Sequence, residues 1–185
     1  MTAAELIKRC QKGDRIAQAE LFRRFKGMVM GISLRYCPQK AEAEDVFQEC
    51  FIRIFHHLDR VQNPDSLPGW VRTLAVHTAI DHWKKRSRQL PLESAETLQE
   101  TNSGNTGSDF DHLDEEALLS LLHSLPEHLR LVFNLFAIEG FNHKEIAERL
   151  GITELTSRVF LSRARQRLQA LVLEWNHPKT DYHVR

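Results

Sequence analysis

Residues 142–168, NHKEIAERLGITELTSRVFLSRARQRL, constrain the fold more than any other stretch of this chain. They read as a short helix, a tight turn on Gly151 and a second helix studded with arginines. Ile146, Ala147 and Leu150 mark one buried face of the first helix, and Ile152 follows the turn. Leu161, Ala164, Leu168 and Leu171 continue a buried stripe at spacings of three and four. Thr153 stands where an N-cap belongs, its hydroxyl available to the amides of the next turn. Ala147 supplies the small side chain that two steeply crossing helices need at their contact. Glu154, Leu155, Thr156, Arg158, Arg163, Arg165 and Arg167 are expected to face outward. A helix-turn-helix whose second helix enters a major groove has this layout, and so does a helical hairpin with a solvated basic face. Turn, cap, small residue and arginine face in one register favour the first.

The rest of the chain is helical in pattern as well. Thr2 can cap a first helix that carries Leu6 and Ile7 and ends near Gly13. A second is expected from about Asp14 to Tyr36, with Leu21, Phe22, Phe25, Val29 and Ile32 on one face, before Pro38 stops it. A third, from about Gln39 to Leu58, sets Val46, Phe47, Phe51, Ile54, Phe55 and Leu58 apolar. VQNPDSLPG reads as a loop. A fourth helix, from about Gly69 to Arg88, carries Trp70, Leu74, Ile80 and Trp83 and finishes in KKRSR. The stretch with ETNSGNTGSD at its centre lacks periodicity and reads as a linker. Helical pattern resumes near Leu113, Pro126 opens a helix that Gly140 ends, and the helix-turn-helix follows. The expected architecture is all-α, with two small helical domains at residues 1–89 and 113–175. A flexible acidic linker at 90–112 joins them, and a frayed tail occupies 176–185.

A formal net charge of zero over 185 residues conceals a strong segregation. Residues 1–90 carry 16 Lys and Arg against 10 Asp and Glu, and residues 91–129 carry no Lys or Arg against 9 acids. Residues 130–185 carry 9 against 6. Two basic lobes joined by an acidic strap suggest phosphate contact by the lobes, a solvated surface being the plainer alternative. The strap cannot lie on DNA; it suits either a positively charged channel or a simple solvated tether. Cys10, Cys37 and Cys50 form no C-x-x-C pair, and their odd number argues for buried reduced thiols in a cytoplasmic protein. The N-terminal segment has no signal-peptide core, and no apolar run approaches the ~20 residues of a membrane span. No direct membrane contact is expected.

No catalytic constellation is visible: there is no Gly-rich phosphate loop, no H-E-x-x-H and no G-x-S-x-G. The ten histidines include an adjacent pair, His56 and His57, and a pair five apart, His77 and His82, neither spaced for a metal. Asp45 and Glu49 lie one helical turn apart outside any recognisable pocket, a pattern that more often makes a binding face than an acid/base pair. The expectation is a non-enzyme without metal or cofactor.

Five motifs, in order, carry a resemblance. They are Glu44, Asp45, Gln48 and Glu49 as E-D-x-x-Q-E, then Trp70 and Ala75 with the basic run Lys84–Arg88, then Leu125–Glu127 as L-P-E. Glu145–Ile152 follow as E-I-A-E-x-L-G-I, and Ser162–Arg165 as S-R-A-R. Together they closely resemble bacterial RNA polymerase sigma factors of the extracytoplasmic function type, over about Leu21 to Leu171. The resemblance implies a σ2-like bundle that reads and helps melt the −10 promoter element, and a σ4-like helix-turn-helix that reads the −35 element. It implies core RNA polymerase as partner through its β′ coiled coil and β flap, promoter DNA, and an anti-sigma factor. Carried over by position, Glu44, Asp45, Gln48 and Glu49 would bind the polymerase. Trp70, Arg72, His77, Lys84, Lys85, Arg86 and Arg88 would meet the −10 element. Glu154, Leu155, Thr156, Arg158, Val159, Ser162, Arg163 and Arg167 would meet the −35 element. The chain departs from the family at Val76 and His77, where an Arg-Asn pair is common, and at Val159 and Phe160, usually polar or basic. These last two would touch a thymine methyl or pack against a partner. The other readings of the same residues are a stand-alone helix-turn-helix regulator and a protein-binding adaptor with a decayed DNA-reading helix.

Overall fold

A computed structural model describes residues 1–87 and 115–176, and the expected linker, Arg88 and residues 177–185 lie outside the described residues. Eight α-helices and no strand occur among the described residues. The chain divides into two compact units, Met1–Leu92 and Glu93–Arg185.

The first unit is a four-helix bundle. Helix α1 (Ala3–Gln11) starts at Thr2, whose side chain accepts from the Glu5 amide, and stops before Gly13 at φ +76°. Asp14 then serves two helices at once. Its carboxylate accepts the Ile16 and Ala17 amides at the start of α2 (Arg15–Tyr36), and Arg9 of α1 grips its second oxygen at 2.7 Å. The Arg9 guanidinium and these amides hold the Asp14 carboxyl below the usual carboxylate range. Leu21, Phe25, Val29 and Ile32 are buried along α2, which ends where Cys37 turns extended ahead of Pro38.

Helix α3 (Lys40–His57) buries Ala43, Val46, Cys50, Phe51 and Ile54 and tightens into a 3₁₀ turn, Leu58–Arg60. Phe22, expected on the same face as Leu21 and Phe25, is 39% exposed and closes an aromatic cluster with Phe47 and Phe51. The expected loop before the fourth helix is partly ordered: Asn63 caps a 3₁₀ turn, Pro64–Ser66, that runs directly into α4 (Leu67–Ser87). Pro68 falls in the first turn, where a missing N–H leaves nothing unpaired. Val71, Ala75, Val76, Thr78, Ala79 and Ile80 are buried around much of α4, which packs on both α2 and α3. Arg53 on α3 brackets the pair by reaching Asp81 of α4 at 2.7 Å and Glu49 at 2.9 Å.

The second unit comprises α5 (Glu115–Ser124), α6 (Glu127–Phe133), α7 (His143–Leu150) and α8 (Glu154–Asn176). Leu121, Leu125, Leu129, Ala164, Leu168 and Val172 form a core, with Phe133, Phe160 and Leu171 packed at its margin. The helix opened by Pro126 does not run evenly to Gly140. It widens into a π turn, Asn134–Ile138, with Glu139 N–H donating to the Asn134 carbonyl, before Gly140 reverses the chain at φ +79°. Asn142 and Glu145 then form a reciprocal capping box at the start of α7, each side chain accepting the other's amide at 2.8–2.9 Å. Gly151 terminates α7 at φ +70°, ψ 35°, and both its N–H and that of Ile152 return to the Ala147 carbonyl. Thr153 caps α8 by accepting the Thr156 amide at 3.0 Å.

Candidate nucleic-acid and polymerase interfaces

The residues expected at a −35 element lie along the first four turns of α8. Glu154, Leu155, Arg158 and Arg167 are exposed, while Thr156, Ser162 and Arg163 are half-buried. Arg158 donates to Glu154 at 3.2 Å, an exposed i,i+4 pair of small net value that a base edge or phosphate can displace. Val159 is a correction to the sequence reading. It is only 3% exposed, so its methyl groups are taken up inside the unit and do not reach a thymine. Phe160 is half-buried with its ring 4.7 Å from that of His128, so it too belongs to internal packing. Arg165, expected to face outward, is half-buried with its guanidinium 5.7 Å above the Phe136 ring.

Behind this face lies a polar contact that sequence reasoning missed. Ser157 is fully buried, and its hydroxyl meets His143 Nδ1 at 3.0 Å. The His143 ring stacks on Phe136 at 4.6 Å with 24° between planes. Burial, then the cations of Arg158 and Arg165, hold the imidazole pKa below its ordinary value, with Glu154 opposing. Arg149 closes the other end of α7, its guanidinium 4.1 Å over Phe141 and donating to the Glu145 carbonyl.

On the first unit, Glu44, Asp45 and Gln48 are exposed along α3, whereas Glu49 is half-buried and shares Arg53 with Asp81. Ile52, one turn beyond Gln48, is 54% exposed and extends that face with an apolar group. Asp45 and Glu49 also border a groove between α3 and α4 completed by Val46, Arg53, Thr78, His82 and Lys85. On α4, Trp70, His77 and Lys84 recur every seven residues along one stripe; His77 is exposed and the other two are half-buried. Arg72 and Lys85 are exposed off that stripe. Arg86 is half-buried and ion-paired with Glu42 of α3, which ties it to the bundle rather than leaving it poised over solvent. Arg88 lies outside the described residues. Val76, at the first departure from the family pattern, is buried, and His77 is the member of that pair that faces out. Among the described residues no group of His, Cys, Asp or Glu is arranged to hold a metal ion, and no helix is long and apolar enough to cross a membrane.

Two all-helical units, one presenting an acidic helix face and the other a basic helix-turn-helix, are the architecture of a DNA-binding protein of the helix-turn-helix class. Comparison with known proteins gives the family. Residues 21–89 match Sigma-70 region 2 and residues 115–168 match Sigma-70 region 4, together about two thirds of the chain. The chain is 29% identical over 179 residues to the ECF RNA polymerase sigma-E factor of Haemophilus influenzae, covering 91% of this chain and 94% of that one. It is 28% identical over 176 residues to the protein of the same name in Escherichia coli K12, covering 90% and 92%. Among solved structures it is similar to the sigma factor RpoE from Bartonella quintana, crystallised with the anti-sigma factor NepR. That likeness has a TM-score of 0.51 at 19% identity, covering 84% of this chain and 96% of the other, and bears on the fold. The chain belongs to the sigma-70 family, as an RNA polymerase sigma factor of the extracytoplasmic function type. It directs promoter-specific transcription initiation as a subunit of the polymerase.

Proposed function

We propose how the two units divide this work. The exposed face of α3, with Glu44, Asp45 and Gln48, docks on the β′ coiled coil of core polymerase, and Glu49 contributes from its edge. The stripe of α4 with Trp70, His77 and Lys84, flanked by Arg72 and Lys85, lies against the −10 element, where aromatic faces and cations hold unpaired bases beside phosphates. The first turns of α8 enter the major groove at the −35 element, Arg158 reading a base edge while Arg163 and Arg167 hold phosphates. The second unit also meets the β flap. The protein acts in the cytoplasm by binding, stabilising melted over duplex promoter, with no reaction of its own. By analogy with the Bartonella complex, an anti-sigma factor is a further partner.

The observation that carries this reading is the outward set Glu154, Leu155 and Arg158 on a helix whose start is fixed by Thr153 and whose neighbours Val159 and Phe160 are packed inside. That packing also weakens the case for a decayed reading helix, since the two apolar residues serve the interior and leave Arg158 and Arg167 exposed. A stand-alone regulator is not favoured, because the first unit matches a sigma region and not a dimerisation or ligand domain. Run-off transcription with purified core polymerase tests the proposal. Initiation at a defined start site only when the chain is present is expected, and non-specific transcription unchanged by its addition would overturn the assignment.

A further inference from the structure

Packing against α7 and the core sets how far α8 stands from its neighbours, but an apolar contact is tolerant of small rotations about the helix axis. A hydrogen bond is directional and is not. One such bond joins α7 to α8 at Ser157, immediately before Arg158. Ser157 is fully buried, so its hydroxyl needs a partner inside the protein, and His143 Nδ1 supplies it at 3.0 Å. Either neutral tautomer of the ring serves, because the serine can donate or accept. The imidazole is itself fixed in plane by the Phe136 ring, stacked at 4.6 Å. Phe136 belongs to the π turn Asn134–Ile138, where the widened backbone turns its ring towards α7 and α8. The same ring lies beneath Arg165 of α8, 5.7 Å from its centroid. The cluster therefore holds α8 at two points, Ser157 and Arg165, eight residues or about 12 Å apart along the axis. Two points fix both the rotation and the advance of the helix.

We propose that His143, backed by Phe136, is a positioning residue for promoter recognition: it sets the rotation of α8 that aims Arg158 at its base. This rests on the reading of Arg158 as a base contact. Base discrimination demands geometry held to a fraction of an ångström, whereas phosphate contacts by long arginines tolerate a small rotation. Loss of the His143 bond should thus reduce selectivity before it reduces general DNA affinity.

The test uses holoenzyme assembled from the full chain and core polymerase. A preferred −35 element is first selected from a randomised library by the unaltered protein. Affinity is then measured on that element and its single-base variants, across salt, for Arg158→Ala, His143→Ala, His143→Asn and Phe136→Leu. Arg158→Ala should relax preference at one position. His143→Ala should relax the same position by roughly three- to tenfold, the effect of one neutral hydrogen bond, with the salt slope unchanged. His143→Asn places an amide atom where Nδ1 was and should restore most of the discrimination. Phe136→Leu keeps the bond but not the stack and should fall between, so the idea remains testable if the alanine variant folds poorly. An equal loss on all elements in His143→Ala, with preference retained, would show a merely structural histidine and overturn the proposal. So would unchanged discrimination in His143→Ala beside a relaxed Arg158→Ala. If Arg158→Ala itself leaves preference intact, the reading of α8 falls and the proposal with it.

Discussion

At the residue scale, the arginines of α8 are not equivalent, and their environments say how each should behave on substitution. Arg158 is exposed near the helix start and held only by Glu154, so its guanidinium is available to a base edge. Arg158→Ala is expected to cost about 1–3 kcal/mol on the preferred −35 element and to relax one position. Arg167 is exposed more than two turns later, where on the proposed docking the helix leaves the groove; Arg167→Ala should weaken all sequences alike and lower the salt slope by about one. Titration of promoter affinity against salt for both variants separates the two behaviours, and identical slopes would mean that α8 sits differently in the groove. His143 carries a pH signature. Its folded-state pKa lies below the ordinary 6.5, because burial and the Arg158 and Arg165 cations disfavour the imidazolium. The folded state thus binds fewer protons than the unfolded, and the associated stability is fully present above pH 6.5 and declines as pH falls below it. Thermal melts of the full chain at pH 7.5 and pH 5.5 should show a smaller pH-dependent drop for His143→Asn than for the parent. An equal drop in both would assign the pH dependence to other histidines. Cys50 shows the opposite response to burial: its thiol is pushed up to about 12, which leaves it protonated and inert in the folded chain.

At the scale of single elements, start and stop signals account for most of what could be read in advance. Thr2, Thr153, Gly13, Gly140 and Gly151 all stand at helix ends as their side chains, or lack of one, require. Leu161, Ala164 and Leu168 are buried as their spacing implied, while Leu171, expected to continue the stripe, is half-buried at its margin. What was not legible needed three-dimensional neighbours. Val159 lies among outward-facing residues in sequence, and only the folded unit shows it 3% exposed. The π turn at Asn134–Ile138 has no composition signal, so neither the aim of Phe136 nor its stack on His143 was foreseeable. The capping box is legible in sequence as Asn142 followed by Glu145, the N-x-x-E form of a helix-start signature. Gly151 offers a direct check on the turn. A methyl group placed there meets nothing within 4 Å, so Gly151→Ala introduces no clash, and its effect isolates backbone strain at φ +70°. Urea unfolding should register a loss of about 1–2 kcal/mol. A neutral result would mean that the turn relaxes out of the left-handed region.

At the scale of the whole molecule, opposite charges are segregated along one chain. The 16 cations against 10 acids of residues 1–90 leave that unit net basic, yet Glu44 and Asp45 stand exposed on one helix face. An acidic face on a basic unit fits the proposal that one side of this domain meets DNA and another a basic protein surface. Within that face, Glu49 is a poor site for a charge reversal. It shares Arg53 with Asp81, and a new cation there would break the bracket between α3 and α4 and unsettle the fold. Asp45 stands exposed at the mouth of the groove and Glu44 makes only a 3.9 Å contact with Lys40, so both can be reversed without removing an internal tie. Glu44→Arg with Asp45→Arg should therefore abolish association with core polymerase while the far-ultraviolet circular dichroism spectrum stays that of the parent. Placing like charges across such an interface costs several kcal/mol, about a thousandfold or more in affinity. DNA binding by the isolated double variant should not fall, since neither residue faces the proposed promoter surface and two acids near a polyanion have been removed. Full retention of core in a pull-down by a well-folded double variant would place the polymerase contact elsewhere. The exposed Ile52 and the aromatic cluster around Phe22 would then be the next surfaces to alter.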